Sequence, residues 1–246
     1  MISLLSLLLK VCAGFFIAGI TDAHKCCFIE QCEREGLTAA ADGSPYFAAV
    51  THFVSHAWHA SFPQLVATLE LYAAGGDGDG MGSGVPAAEA SFFLDVVSIN
   101  QHMPPWREDP PMSHGQVLKP AIVQCGRTVL VLQPWEKPLS FTRVWCLFEI
   151  MSTLEEGATL DVALSKRERE RFAETLVENF DDIMTRISAI DARKATATVM
   201  TDRDAIFALI EAGSGRGLLS STVRLNVSTF LEVDSVVSVA KTAQVS

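Results

Sequence analysis

Thr142-Arg143-Val144-Trp145-Cys146-Leu147-Phe148-Glu149-Ile150 follows an apolar run, Thr128-Val129-Leu130-Val131-Leu132, and a proline-bounded segment, Gln133-Pro134-Trp135-Glu136-Lys137-Pro138. The order reads as buried strand, loop and helix. Thr142 is placed to cap the helix and Gly157 to end it. Val144, Leu147, Phe148, Met151 and Leu154 recur at three- and four-residue spacing and predict its buried face. Glu149 stands in the middle of this apolar helix, one turn after Trp145. A carboxylate there is either an outward, solvated residue or a functional acid whose pKa burial has raised.

Working outward, residues 48–55 are apolar and β-branched, as a buried parallel strand should be. Residues 91–98 read as a second such strand, 128–132 as the third and 159–164 as the fourth. Helices are expected at 62–72, 114–125 and 166–179, with Pro63 tolerated in a first turn and Ser165 as a cap. Another is expected around 26–35, and 204–212 is the clearest of several toward the end. A fifth strand is not evident, and residues 195–200 are its weak candidate. Strands alternating with helices predict an α/β fold: a flavodoxin-like three-layer sandwich with a parallel sheet of four or five strands. The expected domains are an apolar N-terminal segment, 1–47, the α/β domain, 48–180, and a helical C-terminal extension, 181–246. The extension either packs on the domain or is a stub of a longer protein.

The chain has 246 residues, 49% of them hydrophobic and 20% charged, with a net charge of −10. It therefore has ample material for a core, and it lacks the basic cluster that phosphate neutralisation requires, so nucleic acid is not an expected partner. The one dense charge run, residues 166–171, mixes signs and reads as a solvated helix face. The six cysteines form no disulfide framework for a chain of this length. Cys26, Cys27 and Cys32 lack the second cysteine or histidine pair of a zinc site, so no metal is expected. Residues 1–20 are apolar but broken by Lys10, too short a run to span a membrane. They are a signal peptide, a helix packed on the domain, or an artefact of the gene model. A cytoplasmic location is expected, with secretion as the alternative if residues 1–23 are a signal, and only then does the sequon at Asn226 matter. Residues 75–84, rich in glycine, match neither a phosphate loop nor a dinucleotide fingerprint nor an EF-hand, and read as a flexible insertion. No Gly-x-Ser-x-Gly elbow points to a serine hydrolase.

The strand ends supply the candidate binding residues, since open α/β sheets bind ligands at their carboxyl edge. Ser55, His56 and Trp58 follow the first strand, and Trp58 either stacks on a ligand ring or packs on the next helix. Asp95 either meets a ligand at the end of the second strand or forms a turn. Asn100, in Asn100-Gln101-His102, either binds an amide or phosphate or makes loop hydrogen bonds. Arg143 either meets a phosphate or Asp95, or forms an ordinary salt bridge. His52, His56 and His59 lie close in sequence, but no carboxylate follows at ligand spacing.

Three motifs then fall in line: His-Phe-Val-Ser-His-Ala-Trp at 52–58, Asp-x-x-x-x-Asn-Gln-His at 95–102, and Thr-Arg-x-Trp-Cys-Leu-x-Glu-Ile at 142–150. Together they resemble TIR (Toll/interleukin receptor) domains, above all a TIR-like group common in algae and protists. The resemblance covers roughly residues 48–180, and the box around Trp145 and Cys146 is its most specific part. It implies a possible NAD glycohydrolase, cleaving the nicotinamide–ribose bond in stress or immune-type signalling, with Glu149 as the catalytic residue. It also implies Ser55, His56, Trp58, Asp95, Asn100, Arg143 and Trp145 as substrate-binding residues, NAD as substrate rather than cofactor, and self-association. The alternative in the same family is a non-catalytic scaffold for protein–protein interaction. A nucleoside-processing transferase on a similar fold is a third reading. His56 departs from many TIR domains, which have an aromatic or small polar residue there followed by arginine, and the proline-rich loop after Asp95 is long.

Overall fold

The computed structural model describes residues 13–58, 60–75, 85–102, 113–178, 194–196, 203–204 and 206–208. The glycine-rich insertion beyond Gly75, the proline-rich loop around Trp106, the sequon and most of the expected C-terminal helices lie outside the described residues.

The elements, in order, are α1 (Ala13–Ile20), α2 (Phe28–Arg34), β1 (His52–Ser55), α3 (Phe62–Ala73), β2 (Phe92–Phe93), α4 (Asp95–Ser98), α5 (Ser113–Cys125), β3 (Arg127–Val131), a 3₁₀ turn (Leu139–Thr142), α6 (Val144–Glu155), β4 (Thr159–Ala163) and α7 (Lys166–Glu178). The four strands form one sheet in the order β2-β1-β3-β4. Every neighbouring pair is parallel, with Phe53 opposite both Phe93 and Thr128, and Ser55 opposite Leu130. The expected α/β fold is therefore present, with four strands among the described residues. In the weak fifth-strand candidate, Thr196 makes an isolated bridge to Arg143, and residues 197–200 lie outside the described residues.

Alternation along the strands divides the core into two layers. Phe53, Leu130 and Leu132 face α5, α6 and α7, where they pack with Ile122, Val144, Leu147, Met151 and Phe172. Val54, Val129, Val131 and Ala163 face the other way, against Leu65, Leu69 and Tyr72 of α3. The same second layer takes in Ile17 of α1, Phe28 and Cys32 of α2, and Val96 of α4. The described part of the N-terminal segment, residues 13–47, thus carries two helices, α1 and α2, that share this core layer. No helix of the described residues is long and apolar enough to cross a membrane.

The first strand is shorter than expected, 52–55 and not 48–55, and two further elements differ from the sequence expectation. The second strand ends at Phe93 and gives way at once to α4, which begins at Asp95. The Asp95 carboxylate accepts the Val96 N–H at 2.7 Å and turns the chain, so that Val96 enters the core between α1 and α2. Burial of this side chain overrides the β-propensity of the Val96-Val97 pair. At the start of α6, Thr142 ends the 3₁₀ turn, its hydroxyl donating to the Leu139 carbonyl at 2.7 Å, and Arg143 takes the cap position without a side-chain cap. The first α6 N–H, that of Val144, is instead satisfied by the Thr196 carbonyl at 3.1 Å. Gly157, with φ of +66°, does end the helix as expected.

Candidate functional site

The chain leaves β1 through α3 on one face of the sheet and leaves β3 through α6 on the other. Adjacent strands β1 and β3 are therefore followed by helices on opposite faces. The carboxyl ends of strands at such a reversal are the place where α/β sheets bind ligands. Ser55 is the last residue of β1, and its alternation places it on the α6 face.

Glu149 meets it there. The carboxylate is 4% exposed and accepts a hydrogen bond from Ser55 Oγ at 2.6 Å. Its position is fixed from behind: Thr153 Oγ1 donates to the Glu149 carbonyl at 2.7 Å and lies 2.7 Å from Thr128 Oγ1 of β3, pinning α6 to the sheet. Burial pushes the Glu149 carboxyl well above the ordinary carboxylate range, and the charge of Asp95 pushes it the same way, while the Ser55 hydroxyl opposes both. The helix is buried nearly all round at this level, from Cys146 to Thr153, which removes the solvated reading of Glu149.

Asp95 stands at the same edge, on α4. Its Oδ2 accepts from Trp58 Nε1 at 2.8 Å, and its Oδ1 lies 3.9 Å from His56 Nδ1. The loop after β1 is also held from below, where Cys146 Sγ donates to the His56 carbonyl at 3.3 Å. The Cys146 thiol is pushed well above its usual range by burial and by Glu149. The structure thus gathers Ser55, His56, Trp58, Asp95 and Glu149 at one edge, with Cys146 beneath.

The other expected site residues are employed differently. Asn100 ties the loop after α4 to the N-terminal region: its Nδ2 donates to the Lys25 carbonyl at 2.6 Å and its Oδ1 accepts from the His102 N–H at 2.9 Å. Trp145 is half-buried and meets Phe148 edge-on at 6.1 Å, against the core layer under the sheet. Arg143 stands at the head of α6, where its positive charge weakly opposes the upward shift of the Cys146 thiol. His52 is separated from His56, because its ring packs between Tyr72 and Phe92 in the opposite layer.

Sequence reasoning missed two contacts. The Trp58–Asp95 bond joins two residues 37 positions apart, and each residue separately had a sufficient local explanation. Gln133, just after β3, donates to Thr68 Oγ1 of α3 at 2.8 Å; its place beyond a strand end was the available signal. Among the described residues no group of three His, Cys, Asp or Glu side chains could hold a metal ion.

In comparisons with known protein families, curated proteins and solved structures, nothing matches this chain. The arrangement at the sheet edge therefore carries the functional reading by its own chemistry.

Proposed function

We propose that the chain is a TIR-like NAD glycohydrolase that cleaves the nicotinamide–ribose bond, with Glu149 as the reacting carboxyl group. The observation that supports the reading is the position of Glu149: a buried carboxyl hydrogen-bonded to Ser55 at the reversal of the sheet, facing Asp95. Glycosidic cleavage develops positive charge on the ribose, and a carboxylate held next to that charge lowers the barrier. Burial makes Glu149 a poor anion when nothing cationic is near it. A pyridinium ring arriving beside it favours its ionised form, so the charge would appear where the ribosyl cation forms. Ser55 orients one carboxyl oxygen, and in this reading the other meets the sugar. Trp58, with its indole edge fixed, is available to a flat ring.

The test is incubation of the purified chain with NAD and measurement of free nicotinamide, for the native protein and for Glu149→Gln. Release by the native protein and its loss in the variant are expected. Equal turnover by a well-folded Gln variant would remove Glu149 from the mechanism. The second reading is a self-associating scaffold without turnover. It is favoured by the commitment of Cys146 and Leu147 to packing, which needs no substrate. Absence of nicotinamide release, together with concentration-dependent assembly, would select it.

A further inference from the structure

We propose that Asp95 is a positioning residue, which fixes the indole of Trp58 as a shelf for a flat, positively charged heteroaromatic ring beside Glu149. The identity of the ring rests on the NAD reading; the shelf rests on geometry. Both oxygens of the Asp95 carboxylate are occupied by protein donors, Oδ1 by the Val96 N–H at 2.7 Å and Oδ2 by Trp58 Nε1 at 2.8 Å. The carboxylate is itself mounted on the first residue of α4, whose next residue, Val96, is anchored in the core. An acceptor held this firmly fixes the direction of whatever donates to it, and a charged acceptor makes the bond strong.

What it fixes is the polar edge of an indole that remains 37% exposed. A tryptophan that fills the core hides its rings. Trp135, for comparison, is 5% exposed and packs against Phe172. Trp58 instead keeps ring surface open at the carboxyl edge of the sheet, with its nitrogen tied back. An open indole attracts a cation over its face, and the charge of Asp95 adds to that attraction. A neutral ring of the same shape gains only stacking. Asp95 thus acts on the ligand through Trp58, with its oxygens already engaged.

The proposal is tested by tryptophan fluorescence with 1-methylnicotinamide, a pyridinium probe that quenches indoles. The Trp58 signal is isolated by subtracting that of Trp58→Phe. In the native chain the quenching should saturate. Asp95→Ala should weaken the saturating component about tenfold, the loss of one charge-assisted hydrogen bond. Asp95→Asn, which keeps an acceptor for the indole N–H but no charge, should stay within about threefold of the native affinity. If the Ala variant does not melt cooperatively, Asp95→Leu, closer in shape and equally without an acceptor, takes its place. Linear, collisional quenching in the native chain would overturn the shelf. So would an Asn variant as weak as the Ala variant, because Asp95 would then act by charge alone and not through Trp58. Saturation without nicotinamide release from NAD would keep the shelf and remove the glycohydrolase reading; release without saturation would do the reverse.

Discussion

Ser55→Ala removes the hydroxyl that donates to Glu149, and its effect separates two roles of that bond. The hydroxyl favours the ionised carboxyl, so its loss raises the Glu149 pKa further. If turnover requires the anion, activity rises with pH through that pKa, and in Ser55→Ala the rise should move to higher pH. A buried acceptor also loses its donor, which should cost about 1–3 kcal/mol of stability in chemical denaturation. A pH profile that does not move would make Ser55 purely structural. Glu149→Gln keeps the volume and still accepts from Ser55, while the charge is gone. Loss of a preorganised electrostatic group predicts a fall in nicotinamide release of about 100- to 1,000-fold. Its stability should depend on pH in a definite sense. The native Glu149 holds its proton above the range in which the unfolded chain releases it. Native stability therefore falls as pH rises from the ordinary carboxyl range through the raised value. The Gln variant lacks this loss, so its Tm should match that of the native chain at pH about 4 and exceed it at pH about 8. Ser55, Trp58, Asp95 and Glu149 stood out in the sequence because each lies at a strand end or inside an apolar helix, and the structure brings them to one edge of the sheet. Asn100 makes the loop hydrogen bonds that were one of its two readings, but its partner, the backbone carbonyl of Lys25 75 residues away, is one that no side-chain pattern records.

At the scale of the element, the helical period located α6 and its buried face from Val144 to Met151, but it overextended that face. Leu154 is 50% exposed, beyond the point where β3 and the α5 contacts cover the helix. The period also hid the second buried face, where Cys146, Glu149 and Thr153 recur toward β1 and β3. Small and polar residues lie there because the helix approaches the strands closely and meets them through hydrogen bonds. Leu147→Ala should therefore cost about 2–5 kcal/mol, as a deletion from the large core layer. Leu154→Glu, on the same helix two turns later, should change stability by about 0.5 kcal/mol or less. Urea denaturation of the two variants checks the contrast, and equal losses would mean that α6 is buried further than its exposure indicates. The second strand was misjudged for a related reason. A β-branched run looks the same whether the backbone is extended or turned, and only the carboxylate of Asp95 closing on Val96 decides it.

For the whole molecule, the alternation of strands and helices was enough to read the parallel sheet, because crossovers between parallel strands leave few arrangements. A helix packed on the domain was one of three readings of the apolar N-terminal run, since such a run does not say what it packs against. Ile17 answers this: at 1% exposure it shares a core layer with Val54, Val129 and Tyr72. Ile17→Ala should lower stability by about 2–4 kcal/mol in a single cooperative transition with the sheet. A separate early transition, or none at all, would show that α1 is an appendage and not part of the core.

The brevity of β2 has a consequence for encounters between copies of the chain. The outer rim of a sheet carries main-chain groups that can recruit a stranger's strand, and long flat rims invite aggregation. On this side the rim is two residues long, Phe92–Phe93, before the backbone coils away at Asp95. An incoming strand would find too little ladder to hold. The turn that carries Asp95 to the carboxyl edge thus also closes this flank of the sheet to fibrous growth.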